Sequence, residues 1–189
     1  PTHYLPHVIE AIRRAKHVGF DLPFVYNCGG YESVEALKSL NGLIDIYLTD
    51  FKYYSTELSW KYSKDRNYFK VAHKALEEMV AQTGAPHYSN NLLKTGTIVR
   101  HLVLPGEIED SKIIIETLLP FQDEIVLSIM NQYTPMKDAI LPQELKRPIT
   151  TAEYEEVLDF ADKLGFDPLY QEGETHSESF IPPFDLEGI

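Results

Sequence analysis

Thr97-Ile98-Val99-Arg100-His101-Leu102-Val103-Leu104, closed by Pro105-Gly106, decides how this chain folds. A run rich in aliphatic and β-branched residues and ended by a turn dipeptide reads as a strand. Its period of two puts Ile98, Arg100, Leu102 and Leu104 on one face and His101 on the other. A guanidinium amid apolar neighbours is costly unless it meets an anion or several acceptors, which makes Arg100 the most informative residue in the chain.

Outward from this strand the pattern repeats. Ile125 to Met130 is a fourth apolar run, Ile44 to Thr49 a second, and Leu22 to Tyr26 a first, the last ending in Asn27-Cys28-Gly29-Gly30. Helical spacing fills the gaps. Val8, Ile9, Ile12 and Ala15 form a stripe stopped by Gly19. Ser33 caps a helix carrying Val34, Leu37 and Leu40. Phe69, Ala72, Leu76, Met79 and Val80 mark a longer helix closed by Gly84, and Asp110 is positioned to cap one carrying Ile113, Ile114 and Leu118. Residues 53–68 read as a polar, aromatic loop and 85–96 as a second loop. Thr150-Thr151-Ala152-Glu153 is a capping box opening a final helix through Tyr154, Val157, Leu158, Ala161 and Leu164.

Strands alternating with helices imply parallel pairing with right-handed crossovers, in an α/β fold. The short, β-branched strands suggest a sheet covered on both faces. Four such strands cannot close a barrel, and a helix precedes the first of them. Either the chain is an open α/β domain, or it is a partial (β/α) barrel with helices outside and N-terminal βα units missing. Residues 1–150 form that unit, and 151–189 a C-terminal helix and acidic tail packed on the same domain.

The 189 residues suffice for one domain with a core. The formal charge is −12, and residues 151–189 hold one base, Lys163, against eleven acids. Nucleic acid is therefore not an expected partner, because phosphate neutralisation needs a basic stripe. No stretch has the roughly 20 apolar residues of a membrane helix. The single cysteine, Cys28, excludes an internal disulfide framework and suits a reducing compartment such as the cytoplasm.

Parallel α/β folds collect their chemistry at the carboxyl ends of strands. Here those ends carry Asn27, Asp50 with Lys52, Arg100, and Asn131-Gln132-Tyr133. Together they describe a polar cup able to hold hydroxyls, an amine and a carboxylate. Of the seven histidines only His3 and His7 stand four apart and none show HxH spacing; two ligands alone do not make a mononuclear metal site, so none is expected. His101 reads as a satisfied structural histidine, Cys28 as a packing residue and Gly29-Gly30 as a tight turn. Tyr53, Tyr54, Trp60, Tyr62 and Tyr68 either cover the mouth of the cup or pack its loop.

Several segments, in order, carry a resemblance: Pro1-Thr2-His3-Tyr4-Leu5-Pro6, Val25 to Tyr31, Asp45 to Lys52, Val99 to Gly106, Met130 to Tyr133 and Glu178 to Asp185. They resemble the radical S-adenosylmethionine family, above all its members similar to pyruvate formate-lyase activating enzyme. The resemblance implies a partial barrel of six βα units that binds S-adenosylmethionine across its strand ends. It implies a 4Fe–4S cluster on a C-x3-C-x2-C loop preceding Pro1, so that this chain is the carboxyl-terminal two-thirds of a longer enzyme and is inactive alone. Activity implied for the full length is reductive cleavage to a 5′-deoxyadenosyl radical, with an electron donor and a glycyl-radical protein, peptide or small molecule as partner or substrate. By residue, it implies that Asn27, Asp50, Lys52, Arg100, Leu102, Gln132 and Tyr133 contact the cofactor, with Arg100 near its carboxylate and ribose and Leu102 at its adenine. Two other readings stand beside it, a non-catalytic binding or assembly module and a Schiff-base enzyme of aldolase type using Lys52.

Overall fold

The computed structural model describes residues 2–135 and 141–170. The acidic tail and the Glu178 to Asp185 motif lie outside the described residues.

The first helix, α1 (Leu5–His17), buries Leu5 and Ile12, with Val8 and Ile9 packed beside them. Strand β1 (Val25–Cys28) begins later than the apolar run suggests. Pro23 has no amide to give a ladder, and the amide of Phe24 is taken by the Asp45 carboxylate at 2.8 Å. Helix α2 (Val34–Ser39) is capped by Ser33, whose hydroxyl accepts from the Ala36 amide at 3.2 Å. Strand β2 (Ile46–Asp50) follows.

The expected loop at 53–68 contains a helix, α3 (Thr56–Ser63), capped by Ser55 and ended at Lys64 in the left-handed region. Ser59 is its one buried residue, so no apolar stripe announces it. Helix α4 (Tyr68–Thr83) carries the expected core face and ends at Gly84. The second expected loop is also corrected. His87–Ser89 forms a short strand, β3, antiparallel to the first part of β4 (Leu92–Leu102). Asn90 and Asn91, with φ of 52° and 60°, make the tight turn that mirror-image hairpin turns require.

Helix α5 (Ile108–Leu118), strand β5 (Ile125–Met130) and helix α6 (Thr151–Lys163) complete the chain. Asp110 does not cap α5. Its carboxylate accepts from the amides of Tyr54 at 3.0 Å and Ser55 at 2.7 Å, pinning the start of α3. The Thr150–Glu153 capping box is present in both directions.

The four long strands run parallel in the order β1-β2-β4-β5. Tyr26, Cys28, Tyr47, Thr49, Val99, His101, Leu127 and Ile129 face the helices and are buried. Behind β1 and β2 they meet α1, α2 and α4; behind β4 and β5 they meet α4, α5 and α6. The alternate residues Asn27, Leu48, Asp50, Ile98, Arg100, Leu102, Ser128 and Met130 stay partly or largely exposed. Coverage of both faces is thus corrected: helices pack one face, and the other is the concave wall of an open, partial (β/α) barrel.

Candidate functional site

Register builds the site. Asp50 pairs with Arg100, and Arg100 in turn with Ser128, so the three share a row on the concave face. Asn27 lies one row lower, opposite Leu48. The turn after β1 makes this possible, since Gly30 has φ of 82° and a β-carbon there would collide with the Asp50 carbonyl oxygen. Only glycine lets the β1 turn approach the end of β2 so closely.

Arg100 Nη2 stands 2.6 Å from Asp50 Oδ1 and donates to Asn27 Oδ1 at 2.9 Å. Lys52 Nζ lies 3.6 Å from the other Asp50 oxygen. Both side chains of the Arg100–Asp50 pair are about three-quarters buried, at 24% and 23% exposure. Arg100 Nε is buried with no hydrogen-bond partner. A buried donor without an acceptor carries a desolvation cost of about 1–3 kcal/mol, which a ligand oxygen would remove. Two cations against one carboxylate leave a net positive charge, suited to an anionic group.

Asp50, Lys52 and Arg100 open onto a cavity of about 410 Å³, within the range of small-molecule sites. Leu102, Leu104, Met130, Leu141 and Leu145 supply its apolar side; Tyr53, Tyr62, Tyr133 and Thr134 complete the wall. Of the residues singled out in the sequence, Asp50, Lys52, Arg100, Leu102 and Tyr133 share this cavity. Asn27 joins through its bond to Arg100. Gln132 does not line it, its side-chain nitrogen lying 3.8 Å from Met130 Sδ.

The loop aromatics divide. Tyr53 and Tyr62 line the cavity, whereas Tyr68 is buried and bonds the backbone at Asp50 and Lys52. Tyr54 packs edge-on against Phe69, and Trp60 lies under Arg66 and Lys64. Behind the wall, the Tyr62 hydroxyl is 2.6 Å from Glu107 Oε1 and 2.8 Å from Glu144 Oε1, so its one proton is shared between two carboxylates. Burial and these carboxylates push the phenol well above its ordinary range. Glu144, held by Lys61, its own backbone amide and Tyr62, falls to about 2. Sequence reasoning missed Glu107, Glu144 and Leu141, which come from a turn and from the segment after Pro135.

Cys28 faces the helices, and burial raises its thiol. Among the described residues no group of three His, Cys, Asp or Glu side chains could hold a metal ion. A 4Fe–4S cluster needs several thiolates, and this chain has one cysteine. The residues present do not fit the cluster. They do fit a ligand combining carboxylate, hydroxyls and an apolar ring. Lys52 Nζ is half-exposed and paired, unlike the desolvated amine of a Schiff-base lysine. Among the described residues no helix is long and apolar enough to cross a membrane.

No protein-family model matches the chain. It is 29% identical over 168 residues to an uncharacterised protein of Methanocaldococcus jannaschii, a match covering 87% of this chain and 45% of that one. The chain therefore spans less than half the length of that curated relative. Among solved structures it is similar to a domain of pyruvate-formate lyase-activating enzyme from Bacteroides vulgatus, with a TM-score of 0.66, 10% identity, and coverage of 91% of this chain and 94% of that domain. At that identity the likeness establishes the α/β architecture.

Proposed function

We propose that this chain forms the S-adenosylmethionine-binding wall of a longer radical enzyme of the activating type. The observation that carries the reading is Arg100, fixed between Asp50 and Asn27 with a buried donor left over, at the charged end of a cavity whose other end is apolar. The order of motifs along the sequence and the likeness of the fold to a domain of an activating enzyme support it.

In this reading Arg100 and Lys52 receive the carboxylate, Asp50 and Asn27 accept from hydroxyls, and Leu102 with its apolar neighbours packs the adenine. Tyr133, held by its bond to the Leu145 carbonyl at 2.8 Å, closes one side. Once bound and reductively cleaved, S-adenosylmethionine supplies hydrogen-abstracting radical chemistry. This chain's residues bind and orient the ligand and exclude water from its apolar end. The cluster and its electron donor lie with the remainder of the longer protein, and a glycyl-radical protein or peptide is the proposed substrate.

Isothermal titration of the chain with S-adenosylmethionine tests the reading. Saturable binding is expected, weakened about 10- to 100-fold in Arg100→Gln, the cost of losing hydrogen bonds to a charged group. Absence of binding by the folded chain, or equal affinity in Arg100→Gln, would contradict it and favour an assembly module.

A further inference from the structure

Four tyrosines run in van der Waals sequence from the cavity to the protein surface. Tyr62 lines the cavity, and its ring centroid is 6.0 Å from that of Tyr53, which lines it too. Tyr53 stands edge-on to the buried Tyr68 at 5.4 Å. Tyr68 stacks on Tyr31 at 5.9 Å with the rings 12° from parallel. Tyr31 is 46% exposed. Electron tunnelling falls steeply with distance, and every step here is between neighbouring rings.

The hydroxyl partners differ between the ends and the middle. Tyr62 at the inner end donates to the Glu107 and Glu144 carboxylates. Tyr31 at the outer end donates to Asp65 Oδ2 at 2.6 Å. Tyr68 has instead the Asp50 carbonyl at 3.3 Å and the Lys52 amide at 2.9 Å, and Tyr53 has the Ser63 hydroxyl at 3.3 Å. A phenol that loses an electron becomes a strong acid and is stable as a radical only where a base takes its proton. Carboxylates at both ends therefore make Tyr62 and Tyr31 the resting places and Tyr53 and Tyr68 the points of transit.

We infer that Tyr62, Tyr53, Tyr68 and Tyr31 form an electron-transfer chain that carries an oxidising equivalent from the cavity wall to the protein surface. The inference rests on the proposed radical chemistry for the source of the oxidant, while the wiring is independent of it. A one-electron oxidant in the cavity, such as an organic radical that escapes its substrate, takes an electron from Tyr62 and a proton from solvent to end as a C–H bond, while the Tyr62 proton moves to Glu107 or Glu144. Tyr53, Tyr68 and Tyr31 pass an electron inward in turn, and the proton returns to the Tyr62 oxygen. Tyr31 ends as the neutral radical with its proton on Asp65. A soluble thiol supplies the last electron, loses its proton to solvent and becomes a thiyl radical, and Asp65 returns its proton to Tyr31. The net change is one electron from thiol to cavity oxidant, which spares the site from self-inactivation.

The test needs no S-adenosylmethionine. A ruthenium polypyridyl photo-oxidant is attached to a cysteine introduced by Thr134→Cys at the cavity wall, Cys28 being buried, and flash oxidation is followed by tyrosyl absorbance. A nitroso spin trap and peptide mass spectrometry then locate the radical. Trapped adduct on Tyr31 is expected, with a severalfold loss in Tyr68→Phe and in Tyr53→Phe and no change in Tyr88→Phe, which removes an exposed tyrosine outside the chain. Tyr53→Phe removes only a weak hydroxyl contact, so it keeps the test sound should Tyr68→Phe perturb the fold. Adduct on Tyr31 undiminished by both substitutions, or none on Tyr31 in the parent protein, would overturn the inference. Failure of S-adenosylmethionine binding with an intact tyrosine pathway would instead remove the ligand reading and leave the relay.

Discussion

At the scale of single residues, Arg100 and His101 show what one position along a strand decides. Arg100 points into the cup and has an open donor; His101, its neighbour, points into the helices and has none. The His101 Nδ1 is 2.9 Å from the Phe51 carbonyl, which can only accept, so that nitrogen carries the proton. Nε2 then accepts from the Ser111 hydroxyl at 2.9 Å. The ring joins the end of β2 to α5 as a neutral imidazole, and burial lowers its pKa below the ordinary 6.5. In the unfolded chain the same histidine protonates first as pH falls, so its contribution to stability is present above 6.5 and is lost below it. Urea unfolding between about pH 6.5 and pH 5 should show this loss, and His101→Gln should flatten that part of the profile. An unchanged slope in the variant would show that His101 is not held neutral.

At the scale of elements, the turn after β1 and the cap of α6 set the geometry. Gly30→Ala places a methyl group against the Asp50 carbonyl in a backbone region that alanine avoids, with an expected loss of roughly 1–3 kcal/mol in urea unfolding. Weaker ligand binding should accompany it, because the displaced strand end carries Asp50 and Lys52. Full stability in Gly30→Ala would mean that the turn does not fix the site. Glu153 gathers the capping box, a two-pronged bond to Arg147 at 2.7 Å on each arm, and the Gly106 amide at 2.9 Å. Arg147 above all holds its carboxyl down to about 2. The folded pKa is depressed, so this stabilisation is present above the ordinary 4.5 and disappears as pH falls through about 2. Glu153→Gln should cost about 1 kcal/mol near neutrality through the cap, and the variant should lose less than the parent on acidification, as measured by circular dichroism melts.

These elements also mark how far the sequence could be read. β5 stands where its apolar run lies, and the core faces of α4 and α6 follow their 3.6-residue period. Helix α3 was illegible because its cohesion comes from Ser55, Asp110 and an exposed surface, none of which makes a stripe. The β3–β4 hairpin was hidden by Asn90-Asn91, which reads as loop from composition and as a tight turn once both φ values are positive. Asp110 looked like a cap because a carboxylate near a helix start usually is one. In the site, the period of two placed Asp50, Arg100 and Leu102 together, since register carries a strand pattern across a sheet. Leu145 reaches the same cavity from a turn far along the chain, with Glu144 beside it on the Tyr62 hydroxyl, and no local pattern links them to the site.

At the scale of the whole molecule, four parallel strands make a curved wall, helices cover its outside, and the inside gathers one charged row above apolar ones. The chain covers 45% of its curated relative's length, while its fold follows nearly the whole of a domain of an activating enzyme. The proposed function assigns ligand binding to this wall and reduction to a separate part of a longer protein. The most direct measurement of that claim is the ¹⁵N spectrum of the arginine side chains during titration with S-adenosylmethionine, with the Arg100 Nε–H signal identified by its absence in Arg100→Lys. A saturable shift of that signal, at ligand concentrations matching the calorimetric affinity, is the expected result. An Arg100 signal that stays fixed while the folded chain takes up the ligand would contradict the account.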